Sequence, residues 1–318
     1  MVVKTITTNI IETKNLTKNF GKTTAVNSIN MHVKKGEIYA LIGRNGAGKT
    51  TTLSMLLNLS KPKDGEIKIF GLDNRKNQEI YKKIGSLIET PGFYENLTAE
   101  ENLTLMAKLR GDYNKENIKK AIKSLGLEDQ TKKQYKNYSL GMKQRLGIAA
   151  TIVHNPELLI LDEPINALDP ISIHEIRLFL KKLSQEHNIT ILISSHILSE
   201  VEQIADTIGI IDNGELIQEI SMDEITQQKE EYVEFEISNN NNIETILEKF
   251  NLNKDKDYKI KKIGHNGKTC YKLRLCSKLN ERAKINTALV KEGIEVSKIK
   301  LVEDSLEDYF MKQLGVEL

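Results

Sequence analysis

Apolar positions along the chain fall into a few recurring patterns, and these predict most of the elements. Residues 38–42 and 158–161 are short continuous apolar runs, and 189–193 is apolar but for Thr190, the pattern of strands buried on both faces. Residues 66–70 alternate, as does Tyr232-Val-Glu-Phe-Glu-Ile, which suits strands with one wet face. Leu53, Leu56 and Leu57 recur at helical spacing, and so do Ile173, Ile176, Leu180 and Leu183. Residues 9–13 and 24–33 read as strands around a turn at Phe20-Gly21-Lys22, and 84–89 as a further short strand. Thr98-Ala-Glu-Glu101 is a capping box that opens a helical stretch running in pieces to about Gly126, with a break at Gly111-Asp112. Residues 208–220 form a hairpin on the Asn213-Gly214 turn.

This order divides the chain into an α/β part over 1–227, with a helical insertion at about 97–153, and a tail over 228–318. The tail reads strand, helix (Asn242 to Phe250), a strand pair around His265-Asn-Gly267, helix (Asn280 to Lys291), strand, and a last helix. The order β-α-β-β-α-β suggests a small α+β domain of ferredoxin-like type with an accessory role.

Candidate chemistry gathers at the ends of the buried strands. Gly43-Arg-Asn-Gly-Ala-Gly-Lys49-Thr50 sits between a strand and a helix and fits G-x-x-x-x-G-K-[ST]. Such a loop turns backbone N–H groups toward phosphate oxygens, and the helix start adds its positive end. Lys49 would reach the β- and γ-phosphates, and the Thr50 hydroxyl would bind Mg²⁺. The run 158–161 delivers Asp162 and Glu163 at its carboxyl end, where open α/β sheets bind ligands. Asp162 is expected to serve Mg²⁺. Glu163, expected to point the other way along the pleat, is placed to deprotonate a water. His196, after the run 189–193, suits a γ-phosphate or that water. Ser139 can cap the helix that follows it, either as plain core architecture or as a second anion site. Phe20 reads equally as an adenine platform or as ordinary core.

Composition narrows the setting. The 318 residues suffice for two domains, with 28% charged and 39% hydrophobic positions. A net charge of +2 gives no electrostatic case for nucleic acid. No apolar run is long enough to span a bilayer, and the N-terminus lacks a secretory signal, so a cytosolic setting is expected. Cys270 and Cys276, six residues apart on one strand, are too far apart to pair.

Taken together, these stretches resemble the ATP-binding cassette (ABC) ATPase family over about residues 9–225. The phosphate loop, the acids Asp162 and Glu163, the turn Ala167-Leu168-Asp169 and His196 stand in the family's order. Tyr138-Ser-Leu-Gly-Met-Lys-Gln-Arg145 resembles the family signature, Leu-Ser-Gly-Gly-Gln followed by a basic residue, Gln and Arg. Leu140 and Met142 depart from it, and Glu89 stands where most members have glutamine. The resemblance implies a P-loop ABC ATPase domain with a helical subdomain. It implies that ATP is held by Phe20, Gly43, Arg44, Asn45, Gly46, Ala47, Gly48, Lys49, Thr50 and Thr51. A second copy would add Ser139, Gly141 and Met142, head to tail. Mg²⁺ would be served by Thr50, Asp162 and Glu89, with Glu163 and His196 catalytic. It further implies a separate membrane permease, pressing a short helix near 86–103, and a place at the inner face of the membrane.

The stretch Ile88-Glu-Thr-Pro-Gly-Phe-Tyr-Glu-Asn-Leu-Thr98, with the variant signature, looks like the branch that exports lantibiotics and bacitracin-type peptides for self-protection. Two alternatives within the family are a soluble ATPase acting on ribosomes or DNA and a weakly hydrolysing nucleotide sensor. The single phosphate loop and the lack of heptads in 55–137 speak against the first.

Overall fold

A computed structural model describes residues 8–89, 92–166, 168–239, 242–265 and 268–315. Thr90 and Pro91 of the 88–98 stretch, Ala167, and the Asn266-Gly267 turn lie outside the described residues. The chain divides into two compact units, Met1–Glu224 and Ile225–Leu318.

The first unit is built on a six-stranded sheet. Its strands are β4 (Ile38–Ile42), β7 (Ile84–Leu87), β8 (Leu158–Leu161), β9 (Thr190–Ser195), β10 (Thr207–Asp212) and β11 (Glu215–Ser221). The order is β11-β10-β4-β9-β8-β7. All neighbours are parallel except the hairpin β10–β11. Every residue of β4, β8 and β9 is buried, which is why β4, β8 and the centre of β9 read as apolar runs.

A second, antiparallel sheet joins β1 (Asn9–Phe20), β2 (Thr23–Ile29), β3 (His32–Lys34), β5 (Asp64–Ile69) and β6 (Leu72–Asp73). Here β1 continues past residue 13, because it pairs with β2, β3 and β5 along its length. The stretch 24–33 is broken into β2 and β3, each pairing with β1. The apolar residues of the two sheets share one core, among them Ile11, Leu16, Ile29, Leu41, Leu53 and Ile160.

The helices are α1 (Lys49–Leu56), α2 (Ala99–Leu109), α3 (Lys115–Ser124), α4 (Leu140–Ile152), α5 (Pro170–His187), α6 (Leu198–Val201) and α7 (Met222–Gln228). Thr98 and Glu101 form the expected capping box of α2. Helix α4 packs on β7 and α5 on β9. The first of these contacts is close: a Cβ on Gly85 would collide with the Thr151 carbonyl oxygen of α4. Gly85→Ala is therefore expected to cost about 3 kcal/mol of stability, since a buried backbone cannot yield cheaply. A thermal melt of the full chain, showing its first transition lowered by several degrees, checks this.

The second unit holds β12 (Glu231–Ile237), α8 (Ile243–Glu248), β13 (Tyr258–His265), β14 (Lys268–Leu275), α9 (Arg282–Lys291), β15 (Val296–Glu303) and α10 (Leu306–Gln313). Its sheet is antiparallel in the order β13-β14-β12-β15, the ferredoxin-like arrangement that the element order predicts. Val233, Phe235, Leu273, Ile246 and Leu289 pack sheet against helices in a core of its own. Both cysteines are free. No helix among the described residues is long and apolar enough to cross a membrane.

Candidate active site

The phosphate loop leaves β4 and enters α1, and its glycines are there for space and backbone angle. A Cβ on Gly43 would strike the Ile211 carbonyl oxygen. Gly46 and Gly48 have φ of 82° and 108°, and a Cβ on Gly48 would lie 2.6 Å from the Ala25 carbonyl oxygen. Ala47 is buried and its carbonyl accepts from the Gly214 amide at 3.0 Å, which ties the loop to the β10–β11 turn. Arg44 and Asn45 are exposed, and Thr51 is half-buried in the first turn of α1.

Lys49 is 6% exposed, so its charge must be met by partners. The ammonium donates to the Gly43 carbonyl at 2.8 Å and the Arg44 carbonyl at 3.3 Å, and it pairs with Glu163 Oε1 at 3.3 Å. The other oxygen of Glu163 lies 2.8 Å from His196 Nδ1. One carboxylate thus bridges the loop lysine and the histidine after β9.

The expected pleat alternation of the two acids does not occur. β8 ends at Leu161, and Glu163 adopts a left-handed φ of 47°. The turn swings the Glu163 side chain toward Lys49 and His196, while Asp162 stays with α1. Thr50 Oγ1 donates to Asp162 Oδ2 at 2.7 Å. The Ser194 hydroxyl donates to Asp162 Oδ1 and accepts from the Glu163 amide at 2.8 Å. Ser194 is fully buried and sets both acids at once. It carries no motif signal of its own; its one cue is a small polar residue inside an apolar strand, two positions before His196.

Three groups of expected site residues stand apart from this cluster. Glu89 lies beyond the end of β7, exposed, with φ 60°, and among the described residues its carboxylate makes no hydrogen bond or ion pair. Phe20 ends β1, 57% exposed, under the Lys18 ammonium at 5.0 Å. Its exposure sets aside the core reading.

Ser139 caps α4, accepting from the Met142 amide at 3.3 Å. Gly141 is held against α5, where a Cβ would come within 2.9 Å of Ser172 Oγ. Asp169 caps α5 and accepts from that Ser172 hydroxyl at 2.7 Å. Gln144 donates to the Pro164 carbonyl at 2.9 Å. The start of α4 is thus fastened to the segment after the two acids, and among the described residues it makes no hydrogen bond to the phosphate loop.

The oxygens of Thr50 and Asp162, facing each other, are a donor set suited to a hard divalent cation. A phosphate cradle of amides and lysine beside a histidine-paired carboxylate is equipped to split a phosphoanhydride with water. The fold around it makes the chain a P-loop nucleotide hydrolase.

Comparison with known proteins narrows the class. The ABC transporter family profile matches residues 26–166. The bacitracin transport ATP-binding protein BcrA of Enterococcus faecalis is 48% identical over 96% of this chain and 96% of its own length. The lantibiotic transport ATP-binding protein SrtF of Streptococcus pyogenes is 44% identical over 67% of this chain and 92% of its own. Among solved structures, a dimeric ATP-binding cassette in a post-hydrolysis state with ADP and Pi superposes with a TM-score of 0.61. It is 27% identical and covers 67% of this chain and 98% of its own.

The chain belongs to the ABC transporter ATP-binding family. It is a nucleotide-binding ATPase subunit of a transporter, and the family resemblance of the sequence and its expected α/β fold hold.

Proposed function

We propose that this ATPase powers export of a peptide antibiotic, of the bacitracin or lantibiotic kind, through a separate membrane permease at the inner face of the membrane. The observation that carries the catalytic part is the Glu163 carboxylate, shared between Lys49 and His196. Full-length similarity to BcrA proteins supports the cargo class.

In this reading the loop from Gly43 to Thr51 binds the phosphates of ATP, Lys49 meets the β- and γ-oxygens, and Phe20 stacks on the adenine. Glu163 takes a proton from water as its oxygen bonds to the γ-phosphorus. The bond to the β–γ bridging oxygen breaks, releasing ADP and phosphate. His196 holds the γ-phosphate, and Ser194 keeps Glu163 in place. Thr50 and Asp162 would hold Mg²⁺, which neutralises phosphate charge when bound. Two copies act head to tail, so that Ser139, Gly141 and Met142 of one close over the nucleotide of the other.

A strain lacking this gene but keeping the permease is expected to become hypersensitive to bacitracin or a lantibiotic, with resistance restored by the wild-type chain and not by Glu163→Gln. Unchanged susceptibility to both antibiotic classes would dismiss the cargo assignment. Glu89, as a third oxygen donor to Mg²⁺, gives a separate expectation. Glu89→Gln keeps an oxygen donor but removes its charge, and should raise the Mg²⁺ concentration for half-maximal ATPase several-fold, because a carboxylate holds Mg²⁺ more strongly than an amide oxygen. A Mg²⁺ titration with an unmoved midpoint would leave Glu89 without that role.

A further inference from the structure

The tail carries a feature that nucleotide hydrolysis does not use. Residues 225–318 are nearly neutral, with seventeen basic and sixteen acidic positions. The ladder nevertheless gathers more basic than acidic residues on a single face. Residues directly opposite each other in neighbouring strands share a face. Val233, Phe235, Leu273 and Leu275 take the face packed under the helices. The alternate positions take the other.

On that outer face Glu234 stands opposite Lys300, and Glu236 stands opposite Lys298 and Lys272; Lys272 in turn stands opposite Lys261. Lys259 lies opposite Arg274. Arg274 is committed elsewhere: its guanidinium donates to the buried Asp304 at 2.7 Å and covers the Tyr232 ring at 3.6 Å. Five lysines from three strands therefore surround two glutamates, and Lys259, Lys261, Lys298 and Lys300 are exposed. Among the described residues, only Lys272 has an ion-pair distance to a glutamate of the face, 3.1 Å to Glu234.

We propose that this lysine face docks the tail onto an anionic phospholipid surface. The inference rests on the proposed permease partnership, which puts the chain at the membrane. Charge complementarity selects the occupant: a sheet face bearing exposed ammonium groups suits a plane of phosphate headgroups. The aromatic ring of this face among the described residues, Tyr232, is buried beneath the Arg274 guanidinium and leaves no open ring for bases to stack on, so single-stranded nucleic acid fits it poorly. Lysine, a compact point charge, suits a diffuse anionic plane better than a bidentate acceptor. Each lysine near such a surface is worth about a fivefold gain in partition, offset here by two glutamates.

The test is flotation of the full chain, without permease, on phosphatidylglycerol vesicles and on phosphatidylcholine vesicles. The wild type should float with the anionic vesicles only, and raising salt should release it. Lys259→Glu, Lys261→Glu, Lys298→Glu and Lys300→Glu combined should cut partition by more than about tenfold. The corresponding four Lys→Arg changes should keep it. Basal ATPase, measured on each variant, should not move, since none of these residues belongs to the catalytic cluster.

Equal flotation of the four-glutamate variant would overturn the proposal. So would wild type that binds neither vesicle, binds both alike, or retains RNA while ignoring the lipid. A chain that floats as expected but lacks ATPase activity would count against the catalytic reading alone.

Discussion

Glu163→Gln is expected to bind ATP as the wild type does and to lose about 10²–10⁴ in kcat, the typical contribution of a general base. The substitution keeps shape and removes only the proton acceptor. Its carbonyl can still face Lys49, where Oε1 now lies 3.3 Å away. Its amide group would replace the oxygen 2.8 Å from His196 Nδ1. Ser194 would still fix the backbone amide of residue 163 at 2.8 Å, so the turn should persist. Equilibrium titration with nucleotide and a phosphate-release assay on the same preparation separate the two effects. Full turnover by this variant would remove Glu163 from the role and leave His196 as the nearest candidate.

The same residue shows how far the sequence could be read. An apolar strand ending in two acids is visible in the order of residues alone. What it does not show is that β8 stops one residue earlier than a simple pleat assumes. The separation of Asp162 from Glu163 comes from a left-handed turn at Glu163 instead. A glutamate with positive φ is uncommon, and nothing local predicts it. The surroundings impose it, through the Ser194 hydroxyl of β9, a neighbour 31 positions away along the chain. Gly85 is legible only in hindsight for the same reason, since its constraint is the Thr151 carbonyl of α4. Local periodicity found the tail's elements because each strand there buries one face and wets the other. The lysine face needed the register between strands, which periodicity within one strand cannot supply.

These non-local constraints also explain why the phosphate loop and the acids act as one unit. Ala47 is tied to the β10–β11 turn, Thr50 to Asp162, and Lys49 to Glu163. A change at any of them is felt by the others, so binding and hydrolysis defects must be told apart by measuring both.

Lys49→Ala is the second large effect, and its signature is the opposite of the first: binding fails before chemistry can be observed. Lys49 is 6% exposed and is the buried cation of the cradle, donating to two loop carbonyls while facing Glu163. A hydrogen bond to a charged group contributes about 1.5–3 kcal/mol. Losing the ammonium from two phosphates should then weaken ATP binding by at least about 10²-fold, since 1.4 kcal/mol is a factor of ten. The alanine also leaves Glu163 without its cation, so carboxylate and phosphate repel across the same space. Lys49→Arg should not restore affinity, because a planar guanidinium does not reproduce the point-like ammonium that donates to the Gly43 and Arg44 carbonyls. Adding Glu163→Gln to Lys49→Ala removes that repulsion and should recover part of the lost affinity without recovering turnover. Nucleotide titration of the single and double variants reads all of this. An unchanged ATP affinity in Lys49→Ala would mean that the glycine loop, for all its fit to the pattern, does not hold the phosphates.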